Sequence, residues 1–210
     1  AVVVSVDPIE DALHRAGLPA TTVWGFGPAA DRDTARFHAP SLTIEVDHTR
    51  PVRIRWSNEL VDDTGAALAH LFAVDPTLHW ANPERRPDEH GVAATDNRPS
   101  FEGLTYVAPE SFTDPQTQYT TYQGPVPFVT HVHGAMHVGD ESDGYTEAWF
   151  LPDAADLPDG LARHGRWYPF FADKSERMHG TPWGPGYSVS HYPNHNRAST
   201  MWYHDHTLGM

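Results

Sequence analysis

The sequence of 210 residues contains no cysteine and no long uninterrupted apolar run. Without cysteine there is no disulfide, no thiolate metal ligand and no cysteine nucleophile, so nitrogen and oxygen atoms must hold any bound metal. A membrane helix needs about 20 consecutive apolar residues, and the mean hydropathy of −0.52 predicts a soluble chain with no membrane partner. The N-terminus also lacks the regions of a secretory signal peptide, which leaves the compartment open.

Basic residues are scarce as well. The chain carries 14 lysines and arginines against 28 acidic residues, which gives a formal net charge of −14. Such a surface repels the phosphate backbone, so a nucleic-acid partner is excluded.

Histidine, proline and glycine are abundant, with 15, 19 and 16 copies respectively. Proline and glycine break helices and lengthen loops, which favours an all-β chain with irregular connections. The length suits one large domain, and we interpret residues 1–210 as a single domain.

Local patterns predict one helix and several strands. Asp7 as N-cap and Pro8 in the first turn predict a short N-terminal helix ending before Gly17. Apolar alternation predicts a half-buried strand pair over residues 42–47 and 52–57, joined by a turn.

Further extended segments are predicted in the second half of the chain. They cover residues 128–133 and 199–204, with Trp202 and Tyr203 as core aromatics, while residues 83–100 read as an exposed loop. Residues 151–186 are predicted to be a long loop excursion that aromatic side chains anchor. The whole pattern favours a Greek-key β-barrel or sandwich.

Two His-x-His pairs are the strongest chemical signal. His131 and His133 form one pair, and His204 and His206 form the other. Side chains two residues apart on a strand share a face, at about 6.5 to 7 Å between Cα atoms. One such pair arises about once by chance at this composition, but two pairs on predicted strands indicate a metal site. Imidazole donors without carboxylate or thiolate favour copper or zinc.

The segments around these pairs resemble a known family. Residues 130–134, 142–150 and 202–210, with the strand-like segment 41–46, are similar to the N-terminal domain of three-domain bacterial multicopper oxidases of the spore-coat laccase and phenoxazinone synthase types. The motifs occur in the family's order. The resemblance implies a cupredoxin-like Greek-key fold.

The resemblance also implies roles for individual residues. His131 corresponds to a type 2 copper ligand, and His133, His204 and His206 correspond to ligands of the type 3 copper pair. Asp143 resembles an acidic residue that helps to deliver protons to reduced oxygen, although a plain turn residue before Gly144 explains it equally well. Glu147 is a second carboxylate that we expect to be able to pass protons.

The family's trinuclear cluster takes eight histidines, and its type 1 copper needs a cysteine. Four matched ligands and no cysteine predict one piece of a larger oxidase, without its closing strand and inactive alone. The resemblance implies the remaining cupredoxin domains as partners, a phenol or aminophenol as electron donor, and dioxygen as acceptor.

Two alternatives remain open. A cupin-type mononuclear metalloenzyme also uses His-x-His, with a nearby glutamate for which Glu141 is the candidate. A non-enzymatic copper-binding module is the other. His137, His179, His191 and His195 lack the paired spacing, and we interpret them as structural or exposed.

Overall fold

The computed structural model describes residues 3–8, 22–31, 37, 40–72, 74, 78–86, 93–97 and 122–210. Within these residues the strands are β1 (Val3–Pro8), β2 (Thr22–Gly27), β3 (Val52–Ser57), β4 (Trp80–Ala81), β5 (Asp96–Asn97), β6 (Thr130–His133), β7 (Tyr187–Tyr192) and β8 (Trp202–Asp205). The helix α1 is Tyr168–His179, and short 3-10 helices lie at Ala29–Asp31 and Thr146–Ala148. The all-β class predicted from the sequence is confirmed.

The strands form four antiparallel pairs, β1 with β2, β3 with β7, β4 with β5 and β6 with β8. Two of these pairs join segments far apart in the chain, since β3 meets β7 and β6 meets β8. Isolated bridges link Phe150 to both Phe128 and His164, which ties the middle of the chain to the segment before α1. No helix among the described residues has the length and apolar character needed to cross a bilayer.

Aromatic side chains build the core between the strand pairs and α1. The buried members of the main cluster are Trp56, Leu60, Val126, Phe128, Ala148, Phe150, Tyr168, Phe171 and Tyr192. The indole Nε1–H of Trp56 donates to the hydroxyl of Tyr192 at 3.0 Å, which joins β3 to β7 inside the core. Burial of each large apolar side chain contributes about 1.5 to 3 kcal/mol. The cluster therefore holds the β3–β7 pair against α1.

Strand β3 has the alternating burial that the sequence predicts, but its predicted partner is wrong. Residues 42–46 form no strand pairing, and Leu42, Ile44 and Val46 are exposed. The turn before β3 explains the difference. The amide of Thr49 donates to the carbonyl of Asn194 at 2.8 Å, which places the end of β7 beside β3.

The region 151–186 contains a helix that the sequence pattern did not predict. Helix α1 has a proline in its first turn and ends at Gly180, whose φ of 63° is left-handed. Its buried residues are Tyr168, Phe171 and Ser175, which share one face at helical spacing. Of the aromatic anchors expected here, Tyr168 and Phe171 are buried and Phe170 is exposed.

Two further predictions differ from the structure. Asp7 and Pro8, expected at the start of a helix, are the last residues of β1, where they pair with Val23 and Thr22. Cross-strand pairing here outweighs the local capping signal, and the rest of the predicted helix lies outside the described residues. The exposed loop predicted over 83–100 includes β5, in which Asp96 is buried and pairs with β4.

Candidate metal centre

The pairing of β6 with β8 brings the two His-x-His pairs together. His131 lies directly opposite His204 in the antiparallel register. The amide of His206 donates to the carbonyl of Val129 at 2.8 Å, so the pairing continues one step beyond the strands. Because side chains alternate along a strand, His131, His133, His204 and His206 share one face of this ladder.

The four imidazoles are close neighbours. The ring centroids of His131 lie 5.7 Å from His133, 5.5 Å from His204 and 4.8 Å from His206, the last as a stacked pair. The centroids of His133 and His204 are 6.0 Å apart. Ligand nitrogens of His131, His133 and His204 all lie within 4.8 Å of one another. The structure therefore groups all four predicted residues, and their role as ligands stays a prediction.

Backbone carbonyls orient three of the four rings. His131 Nδ1–H donates to the carbonyl of Asp143 at 2.5 Å, and His206 Nδ1–H donates to the carbonyl of Gly144 at 2.9 Å. His204 Nδ1–H donates to the carbonyl of Asp205 at 2.6 Å. A carbonyl only accepts, so these contacts place the proton on Nδ1 and leave the Nε2 lone pair for another partner. Metal-binding histidines commonly have this arrangement.

Asp143 lies beside the imidazoles and within a tight turn. Its carboxylate Oδ1 is 3.4 Å from His131 Nδ1, and its side chain is 51% exposed. The next residue, Gly144, has a φ of 77°, and a Cβ there would lie 2.2 Å from the carbonyl oxygen of Thr130. The turn therefore requires glycine at 144. Both interpretations of Asp143, turn residue and proton carrier, agree with this position.

Trp202 is not the core aromatic that the sequence predicts. Its side chain is 63% exposed, and its ring lies 5.2 Å from His133 and 5.4 Å from His204. Alternation explains the difference, because residue 202 shares its strand face with 204. Tyr203 points the other way and packs against Trp56, as predicted.

Glu147, the second expected proton carrier, is buried in an ion pair. Its Oε2 accepts from Arg166 at 3.0 and 2.9 Å. Asp96 and His79 complete this group, and the ligand atoms of His79, Asp96 and Glu147 lie within 4.8 Å of one another. The sequence did not indicate this group, since its members come from three separate segments without a shared motif.

His179 and His191 have partners that sequence spacing did not reveal. Their rings stack at 3.8 Å, and His179 Nε2 lies 3.2 Å from the buried Glu141 carboxylate. Burial, followed by the neighbouring charges of His179 and Arg53, lowers the pKa of His191 to about 4. His137 and His195 are exposed, as expected, and contact each other edge to face.

Similarity to known proteins extends along most of the chain, although no family model matches it. It is 26% identical to a laccase of Bacillus subtilis over 207 residues, which is 99% of this chain and 25% of that protein. It is 28% identical to multicopper oxidase LPR1 homolog 1 of Oryza sativa over 199 residues, 94% of this chain and 21% of that protein. A laccase of Haloferax volcanii is 26% identical over 210 residues.

The chain spans about a quarter of the length of the relatives it matches. Those relatives are oxidoreductases by name, and the all-β architecture agrees with theirs, which confirms the cupredoxin-like fold class. The four clustered imidazoles thus lie in a chain that is similar, along most of its length, to laccases and multicopper oxidases.

Proposed function

We propose that this chain is the first cupredoxin domain of a laccase-like multicopper oxidase and supplies four histidines, half of the ligands, to a trinuclear copper cluster. The observation that carries the proposal is that His131, His133, His204 and His206 lie on the same face of the β6–β8 pair. The relatives' names support the reaction class, and the remaining cupredoxin domains would supply the other ligands. We propose that the whole protein oxidises phenols or aminophenols.

The donor set fits copper. All four donors are neutral imidazole nitrogens, which copper accepts readily and which add no negative charge. Two nitrogens on one ion are at most about 4 Å apart, because each metal–nitrogen bond is about 2 Å. A spread of up to 4.8 Å among three nitrogens suits ligands shared between neighbouring ions. Bound copper supplies one-electron redox chemistry, by which four electrons from four donor molecules and four protons convert one dioxygen to two waters.

The residues of this chain have two proposed tasks. The carbonyls of Asp143 and Gly144 hold the rings of His131 and His206 with Nε2 facing away from the turn. The half-exposed carboxylate of Asp143 takes protons from solvent and carries them to the site beside His131. Assignment of His131 to type 2 copper and of the other three histidines to the type 3 pair belongs to the same proposal.

The cupin alternative is not favoured by the position of Glu141. That carboxylate is buried against Lys174 and His179, so it is already neutralised and hydrogen-bonded. A non-enzymatic copper-binding module would retain copper without consuming oxygen.

The test is substitution of one histidine from each pair. We expect His131→Ala and His206→Ala, in the purified complete oxidase, to lower copper content and to abolish oxygen uptake with a phenolic donor. The matched control is His195→Ala, because His195 is exposed and lies outside the cluster. Elemental analysis and an oxygen electrode measure both quantities. Unchanged copper and oxygen uptake in both cluster variants would show that the assignment is wrong.

A further inference from the structure

Residues 140–144 form a turn that connects the candidate metal centre to a buried polar network, and we propose that Glu141 is a positioning residue for the imidazoles of His131 and His206. The network consists of Glu141, Lys174, Ser175, His179, Thr181 and His191. The inference deepens the proposed function and rests on it for the identity of the metal.

One side of the turn orients the imidazoles. Two successive carbonyls, those of Asp143 and Gly144, accept the Nδ1–H groups of His131 and His206. His131 lies on β6 and His206 directly follows β8, so a single short segment orients ligands from both sides of this strand pair. Close packing of Gly144 on Thr130 leaves the turn little freedom to shift toward β6.

The other side of the turn is held by a buried charge. The Glu141 side chain is 2% exposed, and its Oε2 lies 3.0 Å from Lys174 Nζ. Its Oε1 lies 3.2 Å from His179 Nε2. A buried carboxylate is tolerated only with such partners, because removing a charge from water is costly. Lys174 and His179 both belong to α1, so Glu141 attaches the turn to that helix.

A second contact attaches the same turn to β7. The amide of His191 donates to Ser142 Oγ at 3.0 Å. The His191 ring stacks on His179 at 3.8 Å, and its Nε2 lies 2.8 Å from Thr181 Oγ1. Thr181 in turn lies 3.2 Å from Ser175 on α1. Helix, strand and turn are therefore joined by one continuous set of polar contacts.

Glu141 touches none of the four imidazoles in these contacts, so its effect on them must act through the turn. Loss of its charge removes the ion pair between Glu141 and Lys174, whose Nζ also contacts Asp140 at the start of the turn, and weakens the contact to His179. The carbonyls of Asp143 and Gly144 are then free to move away from the rings. Outer groups that orient metal-binding histidines typically change metal affinity by about 10- to 100-fold when they are mutated.

The experiment compares Glu141→Gln with Glu176→Gln in the purified, metal-free protein. Glu176 lies on α1 but is exposed, so it controls for loss of one negative charge. Nitrogen-15 NMR of the imidazoles reads the tautomers of His131 and His206, and titration with Zn²⁺ alone reads affinity. We expect the Nδ1–H tautomer in the wild type and in E176Q. In E141Q we expect a mixture of tautomers and a 10- to 100-fold weaker affinity.

Thermal unfolding of each variant identifies any general loss of structure. If E141Q does not fold, Lys174→Gln replaces it. Because Lys174 contacts both Asp140 and Glu141 of the turn, we expect the same change in tautomers. Wild-type tautomers and Zn²⁺ affinity in the folded variant would overturn the proposal, as would absence of the Nδ1–H form in the wild type. A wild-type protein that binds no copper would overturn the proposed function instead, since the tautomers are read without metal.

Discussion

At the scale of single residues, three of the four imidazoles have one nitrogen committed and one available. His131, His204 and His206 donate Nδ1–H to backbone carbonyls, which leaves Nε2 as an acceptor. An imidazole without such a partner exchanges its tautomers, and the part of its population with Nε2–H then offers the wrong atom. The carbonyl contacts therefore prepare the rings for a metal before it binds.

Asp143 gives a test at the same scale, because its carbonyl and its carboxylate have different tasks. Asp143→Asn keeps the carbonyl that accepts from His131 and removes the titrating carboxylate. We expect copper content to be retained and oxygen uptake to fall about 100-fold or more, which is typical for loss of a proton-transferring group. Elemental analysis and an oxygen electrode measure the two quantities.

The control is Asp159→Asn, which alters an exposed aspartate in a loop that contributes no imidazole. Full oxygen uptake in D143N would restrict Asp143 to its role as a turn residue.

At the scale of elements, the centre depends on the register of β6 against β8. The side-chain period of a strand is two, so a slip of one residue would turn one histidine pair to the opposite face. Core packing of Tyr203 against Phe26 and Trp56 opposes such a slip. The turn at 140–144 adds a second constraint, since it contacts both strands through their histidines.

Gly144 and Gly134 provide a matched pair of substitutions at this scale. Both have left-handed φ values, 77° and 84°, but an added Cβ meets Thr130 only at Gly144 and nothing within 4 Å at Gly134. Gly134→Ala should cost about 1 to 2 kcal/mol from backbone conformation alone. Gly144→Ala should cost a further 1 to 3 kcal/mol from overpacking and should also lower copper content. Urea unfolding with elemental analysis measures both effects. Equal losses in the two variants would contradict close packing of the turn on β6.

At the scale of the whole molecule, buried polar groups make stability depend on pH. The pKa of His191 falls from its ordinary 6.5 to about 4, chiefly through burial and next through His179 and Arg53, with Glu141 acting in the opposite direction. The folded protein therefore keeps His191 neutral, whereas the unfolded chain takes up a proton below pH 6.5. The resulting stability is fully present above pH 6.5 and is lost as the pH falls toward 4.

We expect the free energy of unfolding, measured with urea, to fall between pH 6.5 and 4. His191→Gln removes the titrating group and should reduce that fall, while His195→Gln, at an exposed position, should leave it unchanged. An identical pH profile for the wild type and the His191 variant would exclude His191 as a source of the dependence.

Patterns with a local cause were predictable from the sequence. The all-β class follows from alternation, and the strands at 52–57 and 130–133 lie where apolar periodicity places them. Helix α1 was missed because the prolines and glycines of 151–186 indicated an irregular segment, although one proline begins the helix and Gly180 ends it. The partner of β3 was predicted wrongly, since alternation identifies a strand without identifying its neighbour.

The sequence alone determined that no thiolate donor is available and that two His-x-His pairs on extended segments put two imidazoles on one face of each strand. Only the tertiary structure decided that those faces coincide, that Asp143 and Gly144 orient the rings, and that Glu141 is held by α1. The physical reason is the separation along the chain over which each effect acts. Strand alternation is a property of adjacent residues, whereas register, burial and ion pairing join residues separated by 30 to 70 positions or more and depend on how the whole core packs.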